Sequence, residues 1–287
     1  MKKDMDVDPA RLEGLSFTKM VASGNDFILI NNFERRIPAE WGPELARKLC
    51  RRAFSVGADG LILIEPPKSQ EACFSWRFFN ADGSEAEMCG NGGRCAARFA
   101  VAEGLCSSEH AFETLAGLIR AEVKGKRVKI ELTPPHSLRL DLSLEIDGQK
   151  YEAFFVNTGV PHTVLFLSPE ELEKLEVKSL GAKIRFHSAF APAGTNVNFV
   201  APIGPKELKV RTYERGVEVE TFACGTGACA SAIIAAKKGL VTPPVTVKTS
   251  GGETLTVFFE LKDMSRLFLE GEARFVYRAS LSREALE

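Results

Sequence analysis

Short apolar runs separated by turn residues make up most of the chain, and only a few stretches carry helical spacing. Residues 17–20 and 27–31 read as strands around the turn Ser23-Gly24-Asn25, and 61–64 and 74–80 are further strand-sized runs. Residues 118–123 and 127–132 predict a hairpin about Lys124-Gly125-Lys126. Over 38–54 the spacing predicts a helix, with Leu45, Leu49 and Ala53 at i, i+4 and i+8 and basic residues elsewhere. The prolines of Thr133-Pro134-Pro135-His136 predict a boundary. Beyond it, 144–146 and 151–156 flank Asp147-Gly148, a hairpin signal. Ser168-Pro169-Glu170-Glu171 is a capping box that predicts a helix to about residue 177. Residues 94–102 and 228–237 read as apolar helices, and 245–248 with 254–260 as a hairpin. The last strand-like run is 273–278.

The pattern repeats. Met88-Cys89-Gly90-Asn91-Gly92 and Ala223-Cys224-Gly225-Thr226-Gly227 each open an apolar helix, and their cysteines are 135 residues apart. The same offset carries Gly24-Asn25-Asp26-Phe27 onto Gly159-Val160-Pro161-His162, Ala58-Asp59-Gly60 onto Ala193-Gly194-Thr195, and Thr114-Leu115-Ala116-Gly117 onto Thr249-Ser250-Gly251-Gly252. Each match is a turn leading into a strand pattern. Two similar halves follow, 15–133 with 271–287 carrying Cys89, and 134–270 carrying Cys224.

Composition narrows the class. The 287 residues are 45% apolar and 26% charged, ordinary for a globular chain with enough length to build two cores. A net charge of -1 argues against nucleic acid or an anionic membrane as the main partner. No apolar run approaches the roughly 20 residues of a spanning helix, and residues 1–14 lack a secretory apolar region and read as a short disordered extension. Seven cysteines are an odd number in a chain of cytosolic character, so disulfide pairing is not expected. No Cys-x-x-Cys or His-x-x-x-His spacing occurs, which argues against zinc. Cys50, Cys73, Cys95, Cys106 and Cys229 are expected to be buried apolar residues.

Cys89 and Cys224 differ. A cysteine at a helix mouth sits among unpaired backbone N–H groups that favour thiolate and bind anions. The following Gly-x-Gly leaves no side chain to shield either thiol. Two thiols in equivalent halves suit inversion of a carbon centre, where one group removes a proton and the other delivers one to the opposite face. Opposed helix N-termini would hold an α-carboxylate and stabilise the charge developing beside it. The scheme needs no metal or cofactor.

These residues resemble the diaminopimelate epimerase family. The resemblance runs over nearly the whole chain after residue 15, through Lys19-Met20, Ser23-Gly24-Asn25-Asp26-Phe27, Phe79-Asn80-Ala81-Asp82-Gly83-Ser84, the two cysteine motifs, Gly159-Val160-Pro161-His162, Gly194-Thr195-Asn196-Val197-Asn198-Phe199 and Tyr213-Glu214-Arg215-Gly216. It implies an α/β (α+β) fold of two pseudo-symmetric halves, each a curved, mostly antiparallel sheet or barrel wrapped around a central helix, with the active site in the cleft between them. It implies that Cys89 and Cys224 are the acid/base thiols and that Asn25, Asn80, Gly90, Asn91, Asn196, Glu214, Arg215, Gly225 and Thr226 bind diaminopimelate. His162 and Glu214 would tune thiol pKa values. A cytoplasmic homodimer without cofactor is also implied.

Physical chemistry agrees with these roles. The substrate has an amino-acid group at each end, so Arg215 offers a planar fork to the distal carboxylate and Glu214 accepts from an ammonium. Val160 and Gly60 depart from relatives that carry asparagine and glutamine there. The competing readings are a proline or hydroxyproline racemase, whose first motif tends to carry histidine where this chain has Asn91, a two-lobed amino-acid-binding protein, and a redox sensor closing its two thiols into a disulfide.

Overall fold

A computed structural model describes residues 7–287. Residues 1–6 of the expected disordered extension lie outside the described residues, and the remainder is ordered. Asp8 accepts from the Ala10 amide at 3.0 Å and caps α1 (Pro9–Leu12), while Val7, Leu12 and Leu15 are buried with Leu281 and Leu286. Three apolar side chains in a polar stretch are enough to fasten it.

The chain separates into two compact units, one running up to Ile130 and resuming at Glu272–Glu287, the other Glu131–Gly271. In the first, β1 (Ser16–Ala22) and β2 (Asn25–Asn31) form an antiparallel hairpin. After α2 (Gly42–Leu49), β3 (Gly60–Glu65) joins β2 in parallel and β4 (Phe74–Asn80) runs antiparallel to β3. The short β5 (Glu85–Ala86) leads into α3 (Gly90–Ala102). Then β6 (Glu109–Thr114) pairs in parallel with β4, and β7 (Gly117–Lys124) and β8 (Arg127–Leu132) follow antiparallel.

The second unit repeats this programme. β9 (His136–Ile146), β10 (Gln149–Asn157) and β11 (Pro161–Phe166) are successively antiparallel. After α4 (Pro169–Lys174) and α5 (Val177–Arg185), β12 (Asn196–Gly204) lies parallel to β11, and β13 (Glu207–Tyr213) antiparallel to β12. β14 (Glu220–Thr221) leads into α6 (Gly225–Lys237), and β15 (Val245–Thr249) runs parallel to β13. β16 (Thr254–Phe259) and β17 (Leu267–Glu272) close it antiparallel. β18 (Arg274–Ser280) pairs antiparallel with β1. Counting β18 first, the two units share one sequence of parallel and antiparallel pairings.

Each sheet wraps a helix. α3 packs on β1, β2, β3, β4 and β7, and α6 on β10, β11, β12, β13, β15 and β16. Small side chains allow this enclosure: Ala96, Ala97 and Ala100 in α3, and Ala228, Ala230, Ala232 and Ala235 in α6, are all buried. A helix apolar on every side must be covered on every side.

Three further expectations are corrected. Helical structure over 38–54 is confined to a 3-10 turn and α2; Ala53 adopts φ 66°, and the Gly57 amide turns back to the Leu49 carbonyl. The helix expected to reach residue 177 stops at Lys174, and α5 is a separate helix held by Val177, Gly181 and Ile184, where a Cβ on Gly181 would meet Tyr213 at 2.6 Å. Finally, Cys73 and Cys106 are half-buried and joined in a disulfide with a Cα–Cα distance of 5.9 Å. The parallel β4–β6 pairing brings them together, since the Cys73 amide donates to the Ala111 carbonyl. A parity count is blind to that proximity. Cys50, Cys95 and Cys229 are buried, as expected.

Candidate active site

Both motif cysteines occupy the same position on their helices. Cys89 is the N-cap of α3 in extended conformation (φ −142°, ψ 119°), and the Gly92 amide donates to its Sγ at 3.4 Å. Cys224 is the N-cap of α6 (φ −122°, ψ 111°), with Sγ 3.5 Å from Thr226 Oγ1. Gly90 and Gly225 therefore begin helices, where first-turn amides lack carbonyl partners. The second glycine of each motif meets a packing demand too. A Cβ on Gly227 would lie 2.3 Å from Asn198 Oδ1 and 3.3 Å from Cys224 Sγ; one on Gly92 would lie 3.2 Å from Ile62.

Behind Cys224 runs a polar chain with a determined direction. Asn198 Nδ2 donates to the Thr163 carbonyl at 3.1 Å and its Oδ1 accepts from Thr212 Oγ1 at 3.0 Å, so the nitrogen faces His162 Nδ1 at 3.1 Å as a donor. His162 Nδ1 must accept, which puts the ring proton on Nε2, 2.9 Å from Thr226 Oγ1. Thr226 Oγ1 accepts from the imidazole and its own proton is free for the sulfur. His162 is fully buried, and burial, with the Arg215 guanidinium adding to it, lowers its pKa to about 3. The ring is neutral at physiological pH and acts as a fixed dipole.

Burial, with the neighbouring Glu214 carboxylate adding to it, pushes the Cys224 thiol up to about 12, against the lowering effect of the Thr226 hydroxyl and the Gly227 and Thr226 amides. Glu214 is itself raised by burial while accepting from Thr221 Oγ1 at 2.9 Å. The Arg215 amide donates to Asn196 Oδ1 at 2.8 Å, and the Arg215 guanidinium to the Ala193 carbonyl at 3.1 Å. Asn196 Nδ2 donates to the Pro161 carbonyl at 2.9 Å, so the same residue ties β11 to the Glu214-Arg215 turn.

In the first unit, Asn91 Nδ2 donates to Asn25 Oδ1 at 2.7 Å, and Asn25 Nδ2 to Asp59 Oδ2 at 2.9 Å. The fully buried Arg94 donates to Asn91 Oδ1 at 2.8 Å and to Ser23 Oγ at 2.6 Å. Asn80 is exposed at the end of β4, and its Nδ2 donates to Ser84 Oγ at 3.0 Å. Thus Gly90, Asn91 and Asn25 are gathered beside Cys89, and Gly225, Thr226, His162, Glu214, Arg215 and Asn196 beside Cys224.

Arg94, Asp59, Asn198 and Thr212 were not singled out from the sequence as part of this machinery. The available signal was polarity out of place, an arginine in an apolar helix and an asparagine between Val197 and Phe199. The structure accounts for one of the two departures. A Cβ on Gly60 would meet the Phe78 ring at 2.5 Å and the Phe79 carbonyl at 2.7 Å, so no larger residue fits this backbone. Val160 is half-buried and its carbonyl accepts from Thr158.

A family model described as diaminopimelate epimerase matches residues 17–137 and 154–276. The chain belongs to this family. A diaminopimelate epimerase of Aquifex aeolicus is 49% identical over 95% of this chain and 100% of its own length. Among solved structures, a PhzF-family phenazine biosynthesis protein of Bacillus anthracis aligns with TM-score 0.70 at 14% identity, covering 93% of this chain and 98% of its own. A hydroxyproline epimerase of Agrobacterium vitis aligns with TM-score 0.65 at 16% identity, covering 93% of each chain. At such identities the two structures show the fold, which the family shares. No helix among the described residues is long and apolar enough to cross a membrane.

Proposed function

We propose that this member of the family epimerises LL-2,6-diaminopimelate to the meso form without a cofactor, using Cys89 and Cys224 as the two proton carriers, in lysine and peptidoglycan precursor biosynthesis. The observation that carries the reading is the paired setting of the thiols, each the extended N-cap of the helix its sheet encloses. One thiolate takes the α-proton, the electron pair is left on the α-carbon, and the other thiol delivers its proton to the opposite face. Reversal needs only the exchanged protonation states. The amides of Gly90, Asn91, Gly225 and Thr226 receive the reacting carboxylate, where first-turn N–H groups and the helix dipoles favour added negative charge. Asn25, Asn80, Asn196, Glu214 and Arg215 hold the remaining polar groups.

Glu214 gives substrate a part in activating the thiol. Its carboxylate raises the Cys224 thiol, so a substrate ammonium paired with Glu214 offsets that repulsion and favours thiolate when substrate is bound. His162 supports the same thiolate as a neutral donor through Thr226.

The protein is incubated in deuterated water with LL-diaminopimelate and, separately, with proline and hydroxyproline. Deuterium entering diaminopimelate at the α-carbon, lost in both Cys89→Ala and Cys224→Ala, is the expected result. Exchange confined to proline or hydroxyproline would show a racemase of the other class, and exchange unaffected by either substitution would remove the two-thiol mechanism. A cytoplasmic homodimer belongs to this reading; light scattering at a monomer mass would remove the dimer.

A further inference from the structure

The Cys73–Cys106 pair has a third member. Both sulfurs and a ring nitrogen of His110 lie within 4.8 Å of one another. His110 Nδ1 is 2.8 Å from the Ser107 carbonyl, which can only accept, so Nδ1 carries the ring proton and Nε2 keeps a lone pair. Nε2 is buried with no hydrogen-bond partner among the described residues. A buried acceptor without a donor is unusual and calls for a cause. A disulfide serving only as a staple supplies none.

An imidazole with one nitrogen donating to a backbone carbonyl and the other open is the arrangement that metal-ligating histidines take. We propose that Cys73, Cys106 and His110 form a redox-gated zinc site, closed as a disulfide when oxidised and holding one zinc ion when reduced. Two thiolates and an imidazole are three of the four ligands of a tetrahedral zinc site, and water completes the set. Zinc–sulfur bonds of about 2.3 Å hold two sulfurs roughly 3.8 Å apart, a separation that small side-chain rotations from the bonded pair supply. The three ligands are spaced 33 and 4 residues apart, which hides the set from a search for short cysteine motifs.

The placement gives such a site a purpose. Cys106 follows the end of α3 by four residues, and Cys73 immediately precedes β4. Either the covalent bond or the ion anchors the far end of the helix whose near end is capped by Cys89. Conversion balances simply. A phosphine reductant gives two electrons to the S–S bond and takes oxygen from water, whose two protons go to the sulfurs; Zn²⁺ then displaces both protons and binds the two thiolates.

The test uses the full-length protein, reduced anaerobically with a phosphine, desalted, and titrated with Zn²⁺ by calorimetry and with Co²⁺ by absorbance. Oxidised protein serves as reference. Reduced protein should take up one more equivalent per chain than oxidised protein, with an intense near-ultraviolet thiolate-to-cobalt band. His110→Gln, which keeps the disulfide, should weaken that uptake about tenfold or more, and Cys106→Ser should abolish it. Zinc should also restore the melting temperature lost on reduction, in the wild type but not in His110→Gln. Equal uptake before and after reduction, or uptake unchanged by both substitutions, would overturn the site. Thermal melting of oxidised His110→Gln at the wild-type temperature shows that its lost uptake is not lost folding.

Discussion

A single hydroxyl proton links the buried histidine to the Cys224 sulfur. Thr226 Oγ1 accepts from His162 and faces Cys224 Sγ as donor, a direction fixed three residues back by Asn198. A hydrogen bond to a charged group contributes about 1.5–3 kcal/mol, which corresponds to roughly 10–100-fold in rate. Thr226→Val keeps the shape and removes the proton, so kcat should fall by about that factor and the thiol limb of the pH–rate profile should move to higher pH. Asn198→Asp probes the direction. A carboxylate accepts from Nδ1–H, reverses the tautomer, makes Nε2 an acceptor and draws the Thr226 proton away from sulfur. Its pH–rate profile should shift in the same sense as that of Thr226→Val. Profiles with an unmoved thiol limb in both variants would separate the chain of hydrogen bonds from catalysis.

At the scale of an element, the start of α6 is set by contact as well as by capping. A methyl at Gly227 would meet Asn198 Oδ1, a side chain held by three hydrogen bonds, whereas one at Gly92 meets the flexible end of Ile62. Overpacking costs about 1–3 kcal/mol where neighbours cannot yield. Gly227→Ala should therefore lose more stability in urea than Gly92→Ala, and a reversed order would mean that Asn198 is less firmly held than its bonds imply. These elements also mark how far sequence reaches. Strand periodicity gave 74–80 as β4 to the residue, and the Ser168 capping box starts α4 where it was expected. Such signals are local. β13 carries the same kind of legible signal, with Leu208, Val210 and Thr212 alternating with charged neighbours, whereas the separate α5 escaped because its buried stripe includes a glycine. The Asn198 relay and the Cys73–Cys106–His110 group were not legible either, because a strand pairing assembles each from segments far apart in sequence.

For the whole molecule, the buried histidine makes folding sensitive to acid in a window of its own. His162 titrates at about 3 in the folded protein against about 6.5 when unfolded. Between those values the unfolded chain binds a proton that the folded chain refuses, so stability rises with pH through the window and is fully present only above it. The slope is about 1.4 kcal/mol per pH unit, so lowering the pH from 6.5 to 5 should cost roughly 2 kcal/mol from this one group. His110, lowered by burial, acts in the same sense. Carboxylates held low by partners, such as Asp26 with Arg52 and Lys19 or Glu220 with Arg211, lose their contribution as pH falls from about their unfolded values near 4. The two families of groups therefore act in different ranges, with the histidines first. Urea unfolding at pH 7, 6 and 5 should show stability declining before any carboxylate of ordinary pKa is protonated. The His162 ring resonances should stay those of neutral imidazole, with the proton on Nε2, throughout that range. A His162 resonance titrating near 6.5 would mean that the ring admits a proton in place, and the acid sensitivity would then have to arise elsewhere.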